Sequence, residues 1–185
     1  DGIISPVCRQ NIVRETKNTA VIDGGDSLGH VVATHAMQLA IDKAREHNIG
    51  MVAVKNSTHF GICGYYPSMA VANDMVGLAF SNARPSVAPT YGVEPVLGTN
   101  PISFGAPSDE VYPFLLDIAT STTQRGKIEV YARDGTPTPK GLTIDLHGNE
   151  PTDSKALLKM FVEERPPCCR WAAPARNSEA TRATA

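Results

Sequence analysis

One histidine stands in a setting that suits proton transfer. His59 lies in the segment 56–66, which follows a short apolar run and precedes a helical pattern, and Gly61 and Gly64 come just after it. Loops at the carboxyl ends of strands in α/β sheets commonly bind ligands, and an imidazole titrates near neutral pH. His59 is therefore a candidate general acid or base; the alternative is a hydrogen-bonded loop histidine without a catalytic role.

A turn and a carboxylate are further candidates for ligand contacts. In Gly98-Thr99-Asn100 the glycine and asparagine tolerate positive φ, and the threonine and asparagine side chains can bond a ligand or their own backbone. A plain turn is the alternative interpretation of this segment. Asp117 ends an apolar run, where its carboxylate can accept from a ribose hydroxyl or cap the Thr/Ser residues that follow.

The remaining histidines and the cysteines predict no metal site. The other histidines are expected to be structural or exposed: His30, His35, His47 and His147. Cys8 and Cys63 are far apart in the sequence, and the adjacent pair Cys168-Cys169 has no partner at the spacing of metal ligands. The sequence also lacks a Gly-x-Gly-x-x-Gly motif and a P-loop, so any nucleotide site must be of another kind.

Three helices are predicted, the first of them from apolar residues that recur at helical spacing. They cover residues 34–47, 65–74 and 124–133. The pattern is clearest in the first helix, which Asn48 and Gly50 terminate.

Short apolar runs predict the strands. The runs at 51–54 and 76–80 suit buried strands, and shorter strands are expected at 102–104 and 114–118. Prolines spaced through residues 82–113 remove backbone donors and exclude long regular elements there. Alternating helices and strands predict the α/β class.

Composition narrows the class of protein further. The 185 residues are 42% hydrophobic and 19% charged, which is typical of a globular domain. With 17 basic and 19 acidic residues, the chain offers no electrostatic field for nucleic acid or anionic lipid, so a small-molecule partner is favoured. No run approaches the roughly 18 apolar residues of a membrane span. We expect a cytoplasmic protein with no nucleic-acid or membrane partner.

Five segments together resemble the malate/L-lactate dehydrogenase family, which includes ureidoglycolate and sulfolactate dehydrogenases and lacks a Rossmann fold. The resemblance extends over about residues 9–161, with the segments in the family's order and at similar spacing. The segments are 56–66, Ser-Asn-Ala-Arg-Pro at 81–85, Leu-Gly-Thr-Asn-Pro at 97–101, Leu-Asp-Ile-Ala-Thr-Ser at 116–121 and Arg-Gly-Lys-Ile at 125–128.

The resemblance implies an oxidoreductase that transfers a hydride between NAD or NADP and a small 2-hydroxy acid such as malate or L-lactate, and that reduces the 2-oxo acid in reverse. It implies an α/β, sulfolactate-dehydrogenase-like NAD(P)-binding fold, which is not a Rossmann fold and is incomplete in this chain. It also implies a homodimer for the complete enzyme.

The resemblance assigns roles to individual residues. His59 matches the family histidine that acts as, or beside, the proton acceptor, and Thr99 and Asn100 are expected to bind substrate. A cation at Arg84, near the adenosine ribose, would favour the 2′-phosphate of NADP. Cofactor contacts are expected from Ala83, Arg84, Gly98, Pro113, Phe114, Leu115, Leu116, Asp117, Ile118 and Ala119.

Two departures from the family pattern stand at the ends of the chain. Family members carry an Arg-Gly-x-x-Ser-His-Gly motif, with a second catalytic histidine and a substrate-binding arginine, upstream of the part matching 9–11; the sequence, which begins at Asp1, does not contain it. Downstream, residues 162–185 replace a glycine-rich segment ending in Lys-Gly-Tyr-Gly. Codons compatible with these residues can also be read in a shifted frame, in which each new codon begins at the third base of the old one. In that frame they can encode the missing glycine-rich segment.

These departures lead to three expectations. Residues 1–161 form a partial dehydrogenase domain that contains the nucleotide-binding core, whereas 162–185 are an out-of-frame, disordered tail. The 185-residue chain by itself is expected to be inactive. A non-catalytic nucleotide-binding remnant and a pseudogene or frameshift product remain as alternatives.

Overall fold

The structure is a computed structural model that describes residues 4–162 and 168–170. The chain divides into two compact units. Unit 1 comprises Asp1–Phe80 and Ile102–Ile118, and unit 2 comprises Ser81–Pro101 and Ala119–Ala185. The boundary near residue 161 that the sequence suggests stays a prediction.

The described chain alternates strands and helices. In order, the elements are β1 (Asn11–Glu15), β2 (Thr19–Asp23), α1 (Gly29–His47), β3 (Met51–Lys55), α2 (Tyr65–Val71), β4 (Gly77–Phe80), β5 (Val87–Ala88), β6 (Ile102–Ala106), β7 (Phe114–Ile118), α3 (Arg125–Arg133), β8 (Thr143–Ile144), α4 (Ser154–Val162) and β9 (Cys168–Arg170).

A three-stranded sheet and helix α1 form the first layer of unit 1. The strand order is β1-β2-β3, with β1 and β2 antiparallel and β2 and β3 parallel. Helix α1 connects the parallel pair, and its apolar stripe buries Val32 and Ala36 against Ile22 of β2. The helix predicted at 34–47 is confirmed, although it already begins at Gly29, because Val32 continues the apolar spacing by one turn.

A second sheet of unit 1 has the order β4-β6-β7 and is antiparallel throughout. Helix α2 packs closely on one face. A Cβ atom on Gly77 would lie 2.7 Å from Pro67 Cα, and one on Gly105 would lie 2.9 Å from Val71 Cγ2. Small residues on this face therefore allow the helix to approach the backbone of the sheet.

Two strands predicted as buried are largely exposed, which corrects the sequence analysis. In β3 Met51 is 62% exposed, and in β4 Phe80 is 67% exposed. Each strand lies at the edge of its three-stranded sheet, and each has only one face covered by a helix of the same unit. A continuous apolar run therefore failed to predict burial on both faces, because burial depends on which layers cover the sheet.

Unit 2 is built around a small sheet of order β5-β9-β8 and two helices. Val87 of β5, Ile128 of α3 and Leu157 of α4 form its fully buried apolar cluster. The sequence predicted a disordered tail at 162–185, but within that segment Cys168–Arg170 pairs with β5 and β8 as strand β9. Residues 163–167 and 171–185 lie outside the described residues, so the prediction for them stays open.

A buried lysine ties helix α1 to the turn between β1 and β2. The side chain of Lys43 is 9% exposed, and its Nζ donates to Glu15 Oε1 at 2.7 Å and to the Thr16 carbonyl at 2.8 Å.

No helix of the described chain is both long enough and apolar enough to cross a membrane.

Replacing Lys43 by alanine is expected to lower the free energy of unfolding by about 2 kcal/mol, because two part-buried hydrogen bonds and the packing of the buried side chain are lost. Urea denaturation of the purified chain measures this. The control is Lys55→Ala, which removes the Lys55–Asp23 pair at 3.1 Å, whose lysine is 55% exposed, and should cost less than about 1 kcal/mol. Equal losses in both variants would contradict the prediction.

Candidate active site

The predicted proton-transfer histidine lies in the loop 56–64 between β3 and α2, which we call the His59 loop. His59 is exposed, and its Nδ1 accepts a hydrogen bond from the Gly61 N–H at 3.1 Å. In a neutral imidazole the proton therefore lies on Nε2. Gly61 has φ +80°, a conformation that side chains rarely adopt.

Asp23 holds the first residue of the His59 loop. Its carboxylate accepts from Asn56 Nδ2 at 3.0 and 3.2 Å and from the Gly25 N–H at 3.0 Å. The Gly25 N–H bond, followed by the bonds from Lys55 and Asn56, holds the pKa of the Asp23 carboxyl below its ordinary value. Asp23 thus stays ionised and keeps its hold on the loop at neutral pH.

The middle of the loop rests on the first residue of helix α1. The Gly29 N–H donates to Thr58 Oγ1 at 2.9 Å, and this hydroxyl donates to the Ser27 carbonyl at 3.1 Å. A Cβ atom on Gly29 would clash with the Thr58 carbonyl oxygen and would lie 2.5 Å from that of His59. Gly29 therefore sets how close the backbone of the loop comes to the helix.

Asp117 holds the far end of the loop. Its Oδ2 accepts the Gly64 N–H at 2.7 Å, and Gly64 is the residue at the N-terminal cap of α2. The sequence left open a ribose contact or a cap on the residues that follow; the carboxylate instead caps a helix from a distant part of the chain. Oδ1 makes no hydrogen bond to a described residue, so the ribose contact stays a prediction.

Aromatic and thiol groups fill the space beneath the loop. Tyr66 Oη donates to the Phe60 carbonyl, and the two rings stack with centroids 5.1 Å apart. Cys63 is buried, and burial together with the Asp117 carboxylate raises the pKa of its thiol to about 11. The thiolate is therefore scarce at neutral pH, which argues against a nucleophilic role for Cys63.

Removing the Asp117 carboxylate is expected to loosen the far end of the loop. Asp117→Ala should lower the free energy of unfolding by about 1–2 kcal/mol, because the part-buried Gly64 N–H loses its acceptor. Asp117→Asn keeps an acceptor oxygen and should lose less than half as much. Urea denaturation measures both variants, and amide exchange at Gly64 locates the change. Equal losses would show that the cap is not the stabilising contact.

The strand predicted to contact the cofactor, β7, is exposed along its length. Phe114, Leu116 and Ile118 alternate with Leu115 and Asp117 along the strand, and all five are exposed. Pro113 and Ala119, which flank the strand, are exposed as well. The strand is thus open to a ligand on the side chains that the resemblance assigns to the cofactor.

In unit 2 the structure brings together the residues of the predicted turn. Asn100, at φ +36°, accepts the Ala83 N–H on its Oδ1 at 3.0 Å. A Cβ atom on Gly98 would clash with the Ala83 carbonyl oxygen. The Thr99 carbonyl accepts from Thr120 Oγ1 at 2.9 Å. The amide oxygen of Asn100 is therefore engaged in holding the turn, and Nδ2 is the atom left for the predicted substrate contact.

Arg84 follows Ala83 in the chain and is exposed. Within the described residues it forms no ion pair, so its guanidinium is open to an anionic ligand. No group of three or more metal-ligating side chains occurs among residues 4–162 and 168–170.

A second histidine lies beside His59. His30, which the sequence predicts to be structural or exposed, is exposed; it is the second residue of α1, and its ring centroid lies 6.3 Å from that of His59 with an interplanar angle of 47°. A Cβ atom on Gly61 would lie 2.7 Å from His30 Nε2. No sequence signal reveals this neighbour, because His30 and His59 belong to separate segments that only the folded chain joins, through the bond between Gly29 and Thr58.

Comparison with known proteins identifies the family. A family model described as malate/L-lactate dehydrogenase matches residues 1–165. The chain belongs to this family. Among relatives, it is 48% identical over 148 residues to an L-sulfolactate dehydrogenase of Methanothermobacter thermautotrophicus, and 50% identical over 152 residues to a malate dehydrogenase of Pyrococcus abyssi. These alignments cover 80% of this chain but 43% and 42% of the relatives.

Solved structures of malate/L-lactate dehydrogenase relatives share the fold. Malate dehydrogenase from Entamoeba histolytica superposes with a TM-score of 0.89 at 41% identity, over 95% of this chain and 48% of that chain. Sulfolactate dehydrogenase from Methanocaldococcus jannaschii gives 0.77 at 40% identity, over 93% and 48%. The predicted sulfolactate-dehydrogenase-like α/β fold is therefore confirmed. The chain spans less than half the length of the relatives it matches.

Proposed function

We propose that this chain is part of a dehydrogenase that transfers a hydride between NAD or NADP and a small 2-hydroxy acid. The observation that carries the proposal is the His59 loop, which presents an exposed imidazole whose Nε2 bonds to none of the described residues, and which is held by contacts at Asn56, Thr58 and Gly64. Membership of the malate/L-lactate dehydrogenase family and relatives named malate and sulfolactate dehydrogenases support the substrate class.

His59 acts as the base in this proposal. As the hydride leaves C2 of the acid, Nε2 of His59 accepts the proton of the C2 hydroxyl, and the alcohol becomes a 2-oxo acid. Nε2 can do this only in the tautomer that carries the ring proton on Nδ1, so the Gly61 N–H bond to Nδ1 must be given up when the acid binds. When bound, the nicotinamide would supply the hydride acceptor. The contacts to Thr58 and Gly64 hold the backbone of the loop on both sides of His59, which helps proton transfer because the reacting atoms must stay within hydrogen-bond distance.

The exposed residues fit the chemistry of a dinucleotide. Strand β7 offers apolar side chains for an aromatic ring and, at Asp117 Oδ1, an acceptor for a ribose hydroxyl. Arg84 offers a cation for a phosphate. We infer NADP as the favoured cofactor from Arg84, and Thr99 and Asn100 as substrate contacts. Turnover with NADH equal to or above that with NADPH would count against NADP.

The test uses the polypeptide encoded by the full, resequenced reading frame, which we call the complete protein. It is assayed with both cofactors against malate, L-lactate, sulfolactate and ureidoglycolate. We expect turnover of at least one acid. Dinucleotide binding without turnover of any acid would overturn the proposal and favour a non-catalytic nucleotide-binding remnant.

The tail is proposed to be an out-of-frame reading from about Val162. The family match ends at residue 165, close to this point, which supports the proposal. Resequencing the DNA across codon 162 tests it, and a Cys-Cys-Arg-Trp peptide found by mass spectrometry in the native protein would overturn it. The 185-residue chain alone is then expected to be inactive, and any malate- or lactate-dependent NAD(P)H production by it would contradict this.

The complete protein is also proposed to be a cytoplasmic homodimer, as the family resemblance implies. Sedimentation equilibrium measures its mass, and cell fractionation measures its location. A monomer, or recovery outside the cytoplasm, would contradict the respective part of the proposal.

A further inference from the structure

His30 and His59 form a pair of imidazoles that the proposed mechanism uses only in part. Both rings are exposed, and their centroids are 6.3 Å apart. The only hydrogen bond to either ring from a described residue is the one that His59 Nδ1 accepts from Gly61. His30 Nδ1 and Nε2 and His59 Nε2 therefore have no hydrogen-bond partner among the described residues.

The position of the pair follows from backbone contacts rather than from the flexible ends of side chains. Gly29, the residue before His30, packs closely against the backbone carbonyl groups of Thr58 and His59. On the other side, Gly61 leaves room for the His30 ring, since a Cβ atom there would lie 2.7 Å from His30 Nε2. The two imidazoles are thus carried by segments that cannot separate without breaking these contacts.

We propose that His30 binds the carboxylate of the same 2-hydroxy acid whose hydroxyl proton His59 accepts. This inference rests on the proposed function. The hydroxyl and the carboxylate of such an acid are on adjacent carbons, and hydrogen bonds of about 2.8–3.0 Å on each side allow one small molecule to bridge two rings at this separation.

The charges around His30 suit an anion. It is the second residue of the 19-residue helix α1, whose first turn contains no acidic residue. The positive end of the helix dipole therefore adds to the N–H groups of the imidazole in attracting a carboxylate. A phosphate of the dinucleotide has related chemistry, so the experiment must distinguish the two anions.

Steady-state kinetics of the complete protein provide the first arm. His30→Gln should raise the KM for the acid about 10-fold, the loss expected for one charge-assisted hydrogen bond, while kcat and the KM for the dinucleotide change less than about 2-fold. His35→Gln, an exposed histidine further along α1, is the matched control and should change neither. An unchanged KM for the acid, or a rise only in the KM for the dinucleotide, would overturn the proposal.

Nuclear magnetic resonance of the histidine rings provides the second arm and does not need turnover. Tartronate, a 2-hydroxy diacid, should shift the His30 and His59 ring signals, and His30→Gln should weaken tartronate binding about 10-fold. NADPH alone should leave the His30 signal in place. If no acid is turned over, the proposed function fails, but the tartronate titration still decides the role of His30: an unshifted His30 ring would overturn it.

Discussion

Gly29→Ala is expected to lower the free energy of unfolding of the complete protein by about 2–3 kcal/mol, the upper part of the range for overpacking a close contact. The added methyl group would clash with the Thr58 carbonyl oxygen and crowd that of His59. Helix α1 and the His59 loop must then move apart, which also weakens the Gly29 N–H bond to Thr58 Oγ1. We therefore expect a loss of turnover in addition to the loss of stability.

Gly126→Ala is the matched control for Gly29→Ala. Both glycines lie in the first turn of a helix, but a Cβ atom on Gly126 would meet no atom within 4 Å. Alanine is the better helix former, so this variant should gain about 0.5–1 kcal/mol. Urea denaturation measures both variants. If Gly29→Ala is as stable as Gly126→Ala, the close approach of the loop to α1 is not a constraint.

His59→Gln should lower kcat by about 10²–10⁴-fold, the range for removal of a general base. Stability should change little, because His59 is exposed and the only hydrogen bond to its ring from a described residue comes from the Gly61 N–H. A selective loss of kcat at unchanged unfolding free energy would separate a catalytic role from a structural one.

His147→Gln is the control for His59→Gln. His147 is also exposed, and its hydrogen bond to Asp145 uses the backbone N–H, which glutamine retains. Turnover with the candidate acids is measured for both variants beside the unsubstituted protein. A kcat for His59→Gln within about twofold of that for His147→Gln would show that His59 is a hydrogen-bonded loop residue without a catalytic role.

Local patterns predicted the helices and strands well where a single periodicity dominated. The predicted helix at 124–133 is α3, Arg125–Arg133, and the predicted strand at 114–118 is β7. The helix predicted at 65–74 ends earlier, at Val71, and turns follow it. The helices could be predicted because hydrogen bonds and side-chain spacing within a few residues determine them, whereas strand β7 was predicted only from its run of apolar residues.

Burial could not be predicted in the same way. The runs at 51–54 and 76–80 are as apolar as buried strands, yet Met51 and Phe80 are mostly exposed. An apolar run shows only that other elements could pack against both faces of a strand. Which face is covered depends on the number of strands and on where helices α1 and α2 pack, and both are properties of the folded unit.

The candidate site also has features that the sequence predicted and features that it did not. By itself the sequence determined that His59 lies in a glycine-containing loop between a strand and a helix, and that the chain resembles the malate/L-lactate dehydrogenase family. Only the tertiary structure decided what holds this loop and what lies beside it. Gly29 and Thr58 are 29 positions apart, and Gly64 and Asp117 are 53 apart. Contacts at such separations leave no local periodicity in the sequence, because chain folding alone brings the partners together.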